Sequence, residues 1–532
     1  MIFIDWQTTL ECVLTALVLS CLLTLTCFKQ LGILQALGYK SGKFLAWTRR
    51  KSNLAQARFS LLALATVLAY CVFALCFSFV GKWSAVIGLV SYIIFFVIYA
   101  VADSKKALGQ NPSLTPRFKR LLAAVWVTFA ILIYLCVTLL NFGAHIWDEQ
   151  LFHTLKYAVI AIFPLLALPI CALANLITLA WEAPINNSFV KKAKKKLAAA
   201  QIIKLGITGS FGKTSAKNIL AAMLEKKFKV LKTPSSFNTP LGLARTVNDN
   251  DLSECEVFIA EMGARHKGDI AELCAICPPD YSMITGVCPQ HLESFKTLEN
   301  IVAAKGEIIA GTKNTCVIAG DCFDYFKDMS GAIAKCDCVT DIKADSTGTE
   351  FTLNLGEESK RVKTKLLGAH NAYNIGICAQ VAYALGVEID LICEAVTALE
   401  FVEHRLQLIQ SNGVNILDDG YNSNVVGARA AIEVLKSFDG KKIVVTPGLV
   451  ELGILETSEN EALGASLIGL DRIILVGETL VTAIKRGYDA AGGDPEKLTV
   501  VPTLSKAQDE IKGEIAAGDA ILFLNDLPEQ YR

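Results

Sequence analysis

One stretch of ten residues constrains the fold of this chain more than any other: residues 206–215 read Gly-Ile-Thr-Gly-Ser-Phe-Gly-Lys-Thr-Ser. The apolar run 202–207 before it predicts a buried strand, and residues 215–226 after it predict a helix. Glycines between a strand and a helix let backbone N–H groups point at a phosphate chain at the positive end of the helix. The stretch therefore predicts a phosphate-binding loop in an α/β domain.

The side chains of this loop suit a nucleotide with its magnesium ion. The ammonium of Lys213 can reach the outer phosphates, and the hydroxyl of Thr214 can bind Mg²⁺. We interpret the loop as an ATP site, with an ordinary glycine-rich turn as the alternative. The residues assigned to it are Gly209, Ser210, Gly212, Lys213, Thr214 and Ser215. The spacing is a variant, because Ile207 stands where the usual loop has its first glycine.

The first third of the chain is too apolar for a purely soluble protein. Hydrophobic residues make up 53% of the 532 residues, and five segments are long enough to cross a bilayer, which takes about 20 residues each. These segments are 10–28, 59–80, 83–102, 121–141 and 157–181. The first has neither a basic region before it nor a small-residue cleavage site, so we interpret it as a retained helix and not as a signal peptide.

Basic residues cluster in alternate connections of this apolar region. They are Lys29, Lys40, Lys43, Arg49, Arg50, Lys51, Arg58, Lys105, Lys106, Arg117, Lys119, Arg120 and five lysines of the run 191–196. By the positive-inside rule, the N-terminus lies outside a cell membrane and everything from Ala183 onward lies in the cytoplasm. The lysine run predicts an anchor to anionic headgroups, so we expect membrane lipids as partners and, against the alternative, no nucleic acid.

Seventeen cysteines do not indicate a disulfide framework, because the soluble part is predicted to be cytosolic. Cys274 and Cys277 have the spacing of half a zinc site, but no second pair with suitable spacing follows them. We interpret them as ordinary thiols and keep a structural metal as the alternative.

Beyond Ala183 the pattern changes to alternating strands and helices. Residues 184–188 and the lysine run predict a linker into the α/β region. A strand at 257–260 ends in Glu261, whose carboxylate is well placed for the nucleotide's Mg²⁺, although acids also end strands elsewhere. A strand at 281–287 leads to His291, and Lys305 lies on the next helix. A structural histidine is the alternative for His291.

The order of these pieces resembles the Mur ligases of peptidoglycan synthesis, most closely the members that add D-alanyl-D-alanine. The motifs that carry the resemblance lie at 208–215, 260–269, 291–293, 304–308, 367–374, 404–405, 418–424 and 451–453. They span roughly residues 200 to 480 in one consistent order, which makes the match specific. The apolar segments and the resemblance together predict a multi-domain chain in three parts. An α-helical transmembrane domain, 1–190, precedes a central α/β P-loop ATP-binding domain, 191–400, and a Rossmann-like α/β C-terminal domain, 401–532.

The resemblance also implies roles for single residues on the metal and phosphate side. Lys213 holds the β- and γ-phosphates, while Thr214 and Glu261 bind the first Mg²⁺. His291 binds a second Mg²⁺ together with Lys305 as an N-carboxylated lysine. A carbamate offers the oxygen ligand that a hard cation prefers, whereas a bare ammonium is repelled. The alternative for Lys305 is an ordinary lysine on a helix surface.

Three further roles follow from the resemblance. Asn371 and Asn374 match positions that contact the adenine, Arg405 one that reaches the γ-phosphate across a domain boundary, and Asp419 one that holds the ribose. For Asn371 and Asn374 the alternative is a helix N-cap.

The implied function is an ATP-dependent peptide ligase at the cytoplasmic membrane face. A carboxylate of a cell-wall precursor peptide becomes an acyl phosphate, and an amino acid or dipeptide such as D-Ala-D-Ala displaces the phosphate. Five apolar segments stand where the family has its uridine-nucleotide-binding domain, so the muropeptide acceptor can be nucleotide- or lipid-linked, and other cell-wall enzymes are conceivable partners. Residues 446–451 and 524–528 also depart from the family pattern. An ATP-driven transporter and a regulatory protein that has lost the chemistry remain as alternatives from other classes.

Overall fold

A computed structural model describes residues 6–48, 112–146, 163–421 and 423–525. The chain divides into two compact units, Met1–Ile185 and Asn186–Arg532.

The described part of the first unit is helical. Its helices are α1 (Trp6–Thr26), α2 (Phe28–Ala36), α3 (Ser41–Thr48) and α4 (Pro116–Ile146), followed by a 3₁₀ turn (Phe163–Leu166) and the start of α5 (Ala167–Ala199). Leu19 and Leu23 of α1 and Val125 and Phe129 of α4 are buried in one apolar cluster. This packing follows from helices that are apolar over most of their surface.

By length and composition, two of the described helices can cross a membrane, at Pro116–Gly143 and Ala167–Ala199. The pair Cys12–Thr26 and Phe28–Ala36, bent by 47°, adds a third if it forms one span. These helices overlap the predicted segments 10–28, 121–141 and 157–181. The predicted segments 59–80 and 83–102 lie outside the described residues.

The predicted linker contains the division between the two compact units, at Ile185 and Asn186, but it is helical, because α5 continues through it to Ala199 with Pro184 inside the helix. A proline removes one backbone N–H from a helix and usually breaks or kinks it. Here the run of lysine and alanine from Lys191 onward consists of strong helix formers, and Ala193 and Leu197 are buried against the α/β core. Local propensity and packing together therefore outweigh the proline.

The first part of the second unit is built on a parallel sheet. Its strands are β1 (Ile203–Thr208), β2 (Val230–Lys232), β3 (Val257–Glu261), β4 (Tyr281–Ile284), β5 (Cys316–Ala319) and β6 (Ile333–Cys336), in the order β2-β3-β1-β4-β5-β6. The connecting helices are α6 (Lys213–Leu224), α7 (Pro240–Asp249), α8 (Asp269–Ile276), α9 (Leu292–Phe295) and α10 (Leu298–Gly311). Short 3₁₀ turns lie at Leu252–Glu254 and Gly320–Tyr325. Every residue of β3 is buried, as expected for a strand covered on both faces.

A small antiparallel sheet follows, formed by β7 (Val339–Asp345), β8 (Gly348–Leu355) and β9 (Glu358–Thr364). Helices α11 (Ala369–Ala384) and α12 (Ile389–Thr397) come next in the chain. Phe351 and Leu353 of β8 and Ala372 and Ile375 of α11 are buried in the same core as the parallel sheet. This core also buries Cys274 and Cys277, and no cluster of metal-binding side chains is found among the described residues.

The second part of this unit has its own sheet and core. Its strands are β10 (Gln407–Ser411), β11 (Val414–Asp419), β12 (Lys442–Thr446), β13 (Arg472–Val476), β14 (Leu498–Val501) and β15 (Ala520–Leu524), in the order β10-β11-β15-β12-β13-β14. Only the β10–β11 pair is antiparallel among these neighbours. The helices are α13 (Val425–Lys436), α14 (Glu456–Ser466), α15 (Val481–Ala490) and α16 (Leu504–Lys512), with 3₁₀ turns at Gly453–Leu455 and Pro495–Lys497.

Strand order places a crevice at the carboxyl end of β1. This strand pairs with β3 on one side and β4 on the other, with Ile207 opposite Glu261 and Thr208 opposite Ile284. In open parallel sheets, ligands bind where the strand order reverses, beyond the carboxyl ends of the strands. The glycine loop, Glu261 and the segment after β4 all leave the sheet at this point.

Candidate active site

The glycine loop has the bent conformation that the sequence predicts. Backbone angles that favour glycine and close contacts with neighbouring segments both maintain it. Gly209 and Gly212 have φ angles of +153° and +75°, which residues with a side chain rarely adopt. A Cβ atom at Gly209 would lie 2.1 Å from the Thr285 hydroxyl, and one at Gly212 would lie 2.6 Å from Oδ1 of Asn374. The backbone N–H of Ser210 donates to the Gly286 carbonyl at 2.8 Å. Neighbouring segments thus hold the loop in its bent form.

Helix α6 begins at Lys213, two residues before the predicted start, so Thr214 and Ser215 lie in its first turn. The ammonium of Lys213 donates to the carbonyls of Gly209 at 2.7 Å and Ser210 at 3.3 Å. Burial lowers the pKa of Lys213 below its usual value, although the charge of Glu261 opposes this shift. The ammonium therefore lies over the phosphate-binding loop.

Glu261 ends β3 and gathers three partners around its carboxylate. The hydroxyl of Thr214 donates to Oε2 at 3.1 Å, the ammonium of Lys217 forms an ion pair with the same oxygen at 3.0 Å, and the Asn238 amide donates to Oε1 at 3.0 Å. Burial favours the neutral acid, but the charges of Lys217 and Lys213 outweigh it and lower the pKa of Glu261. The carboxylate is thus ionised and fixed beside Thr214.

Sequence reasoning missed Lys217 and Asn238. Lys217 lies one helical turn after Lys213, and its buried ammonium also donates to the Ser235 carbonyl. The i, i+4 spacing on a predicted helix could have placed Lys217 near the phosphate loop. Asn238 lies in a segment rich in turn residues, where the sequence gives no signal that its amide reaches Glu261.

Lys305 is buried in α10, with 3% of its surface exposed, so the helix-surface alternative is wrong. Burial lowers its pKa to about 7, and the nearby charge of Lys213 acts in the same direction. Near neutral pH a substantial fraction of Lys305 is therefore an uncharged amine, the form that can react with carbon dioxide.

His291 contacts the second half of the site. Its Nδ1 shares a hydrogen bond with Oε2 of Glu451, whose Oε1 accepts from Nη1 of Arg265 at 3.2 Å. Burial lowers the pKa of His291, which favours a neutral ring that donates from Nδ1. For Glu451, burial is outweighed by the hydrogen bond from His291 and by the charge and hydrogen bond of Arg265, which bring its pKa to about 2. The Glu451 motif was noted in the sequence, but this contact was not predicted.

Asn371 and Asn374 lie inside the first turns of α11, and the N-cap of this helix is Gly368. The N-cap alternative for these two residues is therefore wrong. The Asn371 amide donates to the Leu367 carbonyl at 2.8 Å, and Asn374 stands against Gly212 of the phosphate loop. Both are buried, and Asn374 is next to the loop that the sequence predicts for ATP.

Arg405 and Asp419 come from the second half. The Arg405 guanidinium donates to the Tyr421 carbonyl at 2.8 Å and lies 4.8 Å from the centre of the Tyr421 ring. Its charge is close enough to lower the pKa of Lys213, as a secondary effect after burial. Asp419 ends β11 and accepts from the Leu406 N–H at 3.1 Å, and burial raises its pKa to about 7 despite the charge of Arg405.

The donor set suits magnesium bound together with phosphates. Among the described residues, no three His, Cys, Asp or Glu side chains come together as a metal site would require. Mg²⁺ is usually held by one or two carboxylates together with substrate phosphates and water, and not by a full protein cage. The pair of Thr214 and Glu261, next to a phosphate loop, fits this mode.

Two family models match this region of the chain. The Mur ligase middle domain matches residues 207–382, and the glutamate ligase domain of Mur ligases matches residues 404–525. The chain belongs to the Mur ligase family. The resemblance inferred from the motifs is thereby confirmed, and so is the multi-domain α/β fold with a helical region before it.

Relatives of this Mur ligase include two enzymes named UDP-N-acetylmuramoyl-tripeptide–D-alanyl-D-alanine ligase. The one from Escherichia coli (strain K12) is 31% identical over 291 residues, which cover 52% of this chain and 64% of that protein. The one from Bacillus subtilis (strain 168) is 28% identical over 341 residues, which cover 60% of this chain and 72% of that protein. The chain thus spans less than two thirds of the length of the Escherichia coli relative.

Solved structures give the same family. The MurF ligase of Thermotoga maritima in complex with ADP is 28% identical with a TM-score of 0.58, and the match covers 65% of this chain and 82% of that one. A MurF structure from Acinetobacter baumannii is 25% identical with a TM-score of 0.58, and covers 64% of this chain and 77% of that one. The α/β part of this Mur ligase therefore shares its fold with MurF enzymes.

Proposed function

We propose that this Mur ligase is an ATP-dependent peptide ligase of MurF type. It activates a carboxylate of a cell-wall precursor peptide as an acyl phosphate and joins it to an amino acid or to a dipeptide such as D-Ala-D-Ala. One observation carries the proposal. Thr214, Glu261 and Lys213 converge at the carboxyl ends of β1 and β3 in a chain of this family.

In this proposal the site residues act on phosphoryl transfer from ATP to the substrate carboxylate. Lys213 binds the β- and γ-phosphates, and Arg405 adds positive charge from the second half where negative charge develops. Asn371 and Asn374 orient the adenine, and Asp419 the ribose. Thr214 and Glu261 would hold Mg²⁺, which would neutralise phosphate charge when bound.

For the second magnesium, the proposal assigns His291 and an N-carboxylated Lys305. The uncharged amine of Lys305 attacks the carbon of CO₂ and loses one proton, which leaves a carbamate with one negative charge. Burial that lowers the pKa of Lys305 to about 7 supports this reaction, because an ammonium has no lone pair to attack with.

The test of the ligase is ATP consumption that depends on both peptide substrates. The whole chain, solubilised in detergent, is given ATP, Mg²⁺, a nucleotide-linked muropeptide tripeptide and D-Ala-D-Ala. We expect one phosphate released per amide bond formed, and no release when either substrate is omitted. Phosphate release that ignores both substrates would favour an ATP-driven transporter, and no release at all would favour a regulatory protein.

We further propose that the enzyme is a multi-pass cell-membrane protein. Residues 1–190 form the transmembrane domain with the N-terminus outside, and the catalytic domains 191–400 and 401–532 are cytoplasmic. Two helices that can cross a bilayer, and a bent pair that can add a third, support this proposal. Attachment of a maleimide probe to a single added cysteine before Trp6, in intact cells, would test the orientation.

The membrane region raises a question about the acceptor, which we propose is carried either on a uridine nucleotide or on a polyprenyl diphosphate lipid. Residues 39–51 are rich in aromatic and basic side chains. Within them, α3 buries Phe44 and stacks Trp47 against it at 6.4 Å, which also suits an interfacial helix. Arg49 and Arg50 lie outside the described residues.

The two acceptors can be compared directly with the same detergent-solubilised enzyme and the same peptide. A higher kcat/KM for the lipid-linked peptide, weakened by Arg49→Ala and Arg50→Ala, would favour a lipid-binding role of the first unit. Equal use of both forms, or a preference for the nucleotide-linked peptide, would indicate that the first unit serves to localise the enzyme and to bind other cell-wall enzymes.

A further inference from the structure

One carboxylate reaches from the second half of the catalytic unit to the first. Glu451 follows β12, and both of its oxygens are taken by side chains of the Mur ligase middle domain, Oε2 by His291 and Oε1 by Arg265. The side chains of His291 and Glu451 are 13% and 10% exposed, so this contact is largely shielded from water. It is therefore screened less by water and salt than an exposed contact.

The loop that presents Glu451 is held in place from behind. The buried Asn460 side chain accepts from the Leu449 N–H at 2.9 Å and donates to the Leu449 carbonyl at 2.8 Å. On the same loop, the Gly448 carbonyl accepts from the Asn525 amide at 2.6 Å. The position of Glu451 is thus set by the fold of the second half and not by the ion pair alone.

The backbone conformations of Glu451 and His291 indicate that the surrounding fold determines their contact. Glu451 and His291 have φ angles of +64° and +53°, in the left-handed region that costs about 1 kcal/mol or more for a residue with a side chain. Two such residues meet in one hydrogen bond. Conformations of this kind persist where the surroundings determine them, and they concentrate at functional sites.

The hydrogen bond also decides which ring nitrogen of His291 is free. A neutral imidazole has one N–H donor and one nitrogen with a lone pair. Because Glu451 takes the N–H of Nδ1, the lone pair stays on Nε2. Histidines that bind metals commonly donate their other N–H to a carboxylate, which fixes the tautomer and the orientation of the ring.

We propose that Glu451 is a positioning residue that orients His291 for the second magnesium and makes this site complete only when the two catalytic halves are together. The inference rests on the proposed function, because it takes His291 as a magnesium ligand. Arg265 pairs with the other oxygen, Oε1, and leaves Oε2 to the imidazole.

The test counts metal ions and does not need turnover. The whole chain in detergent is titrated with Mn²⁺ in the presence of a non-hydrolysable ATP analogue, and bound Mn²⁺ is measured by electron paramagnetic resonance. We expect two ions per wild-type chain. Glu451→Gln should keep the first and bind the second about 10- to 100-fold more weakly, the usual effect of removing such a partner.

Two further variants separate positioning from stability. Arg265→Gln leaves the hydrogen bond to His291 intact, so the second ion should bind almost as in the wild type. The control Glu461→Gln removes a carboxylate that pairs with Arg486 within the second half, and should change neither ion. Glu451→Asp serves as the second substitution if Glu451→Gln does not fold, and should also weaken the second ion, because its shorter side chain does not reach His291.

Unchanged binding of both ions in Glu451→Gln, whatever its melting temperature, would overturn the proposal. So would a single ion in the wild-type chain, or a loss in Arg265→Gln as large as that in Glu451→Gln. The proposed ligase activity is judged separately, by substrate-dependent phosphate release from the wild-type enzyme. Normal release with unaltered metal binding in Glu451→Gln would reject the inference alone, and weakened metal binding without release would reject the ligase alone.

Discussion

Beside the glycine loop, Thr214 and Glu261 contact each other directly, whereas Arg405 and Asp419 are bonded to backbone groups of their own half, residues 404–525. Glu261 is fixed by Thr214 and Lys217. Arg405, by contrast, donates to Tyr421, its neighbour in the same half. Under the proposed function, the difference would make the nucleotide side preorganised and leave Arg405 to supply charge from the other half. Substitutions on each side test this difference.

The largest effect is expected on the preorganised side, from Lys213→Ala. Loss of a half-buried cation next to the phosphate loop should lower kcat about 10³-fold. The protein should still fold, because Lys213 bonds only to carbonyls of its own loop. Substrate-dependent phosphate release and the melting temperature measure the two effects. Lys226→Ala, at a partly exposed lysine paired with Glu394, is the control, and near-normal turnover in Lys213→Ala would remove ATP from this loop.

Arg405→Ala tests the other side of the comparison. If Arg405 acts on charge that develops during phosphoryl transfer, kcat should fall about 10²-fold while the Kd of the ATP analogue changes little. Arg429→Ala, at an exposed arginine of the same half, should be neutral in both measurements. An equal loss in Kd and kcat would mean that Arg405 already binds the nucleotide in the ground state, and the contrast between the halves would weaken.

Lys305→Ala tests the second magnesium. We expect a loss of about 10- to 100-fold, with partial rescue by small carboxylates that refill the coordination of the ion. Removal of bicarbonate should lower wild-type activity reversibly, and more so at low pH, where the amine is protonated. The control is Lys313→Ala, a lysine just beyond the same helix that pairs with Asp280. A fully active Lys305→Ala enzyme would exclude the carbamate.

The last test concerns the pH dependence of stability in the second half. Burial raises the pKa of Asp419 from 3.8 to about 7, so the folded protein keeps a proton that the unfolded chain releases. Asp419 therefore contributes stability that is complete below about pH 4 and is lost as pH rises towards 7. Asp419→Asn lacks this loss, so its melting temperature relative to wild type should rise across that window and level off above it. A constant difference from pH 4 to 8 would contradict the assignment.

Much of the catalytic fold could be predicted from the sequence because its signals are local. The strand predicted at 257–260 agrees with β3. Helix α13 begins at Val425, because the Asn424 side chain accepts from the N–H groups of Val426 and Gly427. A cap of this kind is readable, since asparagine before an apolar periodic run is a known start signal.

Features that depend on distant contacts escaped prediction. The partners His291 and Glu451 are 160 residues apart in sequence, and no periodicity relates them. The burial of Lys305 also escaped prediction. It results from tertiary packing, and the sequence of its helix does not distinguish a buried lysine from an exposed one. At Pro184 the local signal was present but misleading, since the helix formers after it and the burial of Leu197 outweigh the break.

The conformation of Gly212 limits which substitutions related sequences can tolerate at this position. Its φ of +75° excludes most side chains, and a Cβ would also lie 2.6 Å from the Asn374 amide oxygen. A smaller residue at 374 would relieve the collision but not the backbone strain. In a genetic screen, therefore, compensating changes at 374 should fail to restore growth to a Gly212→Ala strain, and the glycine should persist in lineages where the asparagine has been lost.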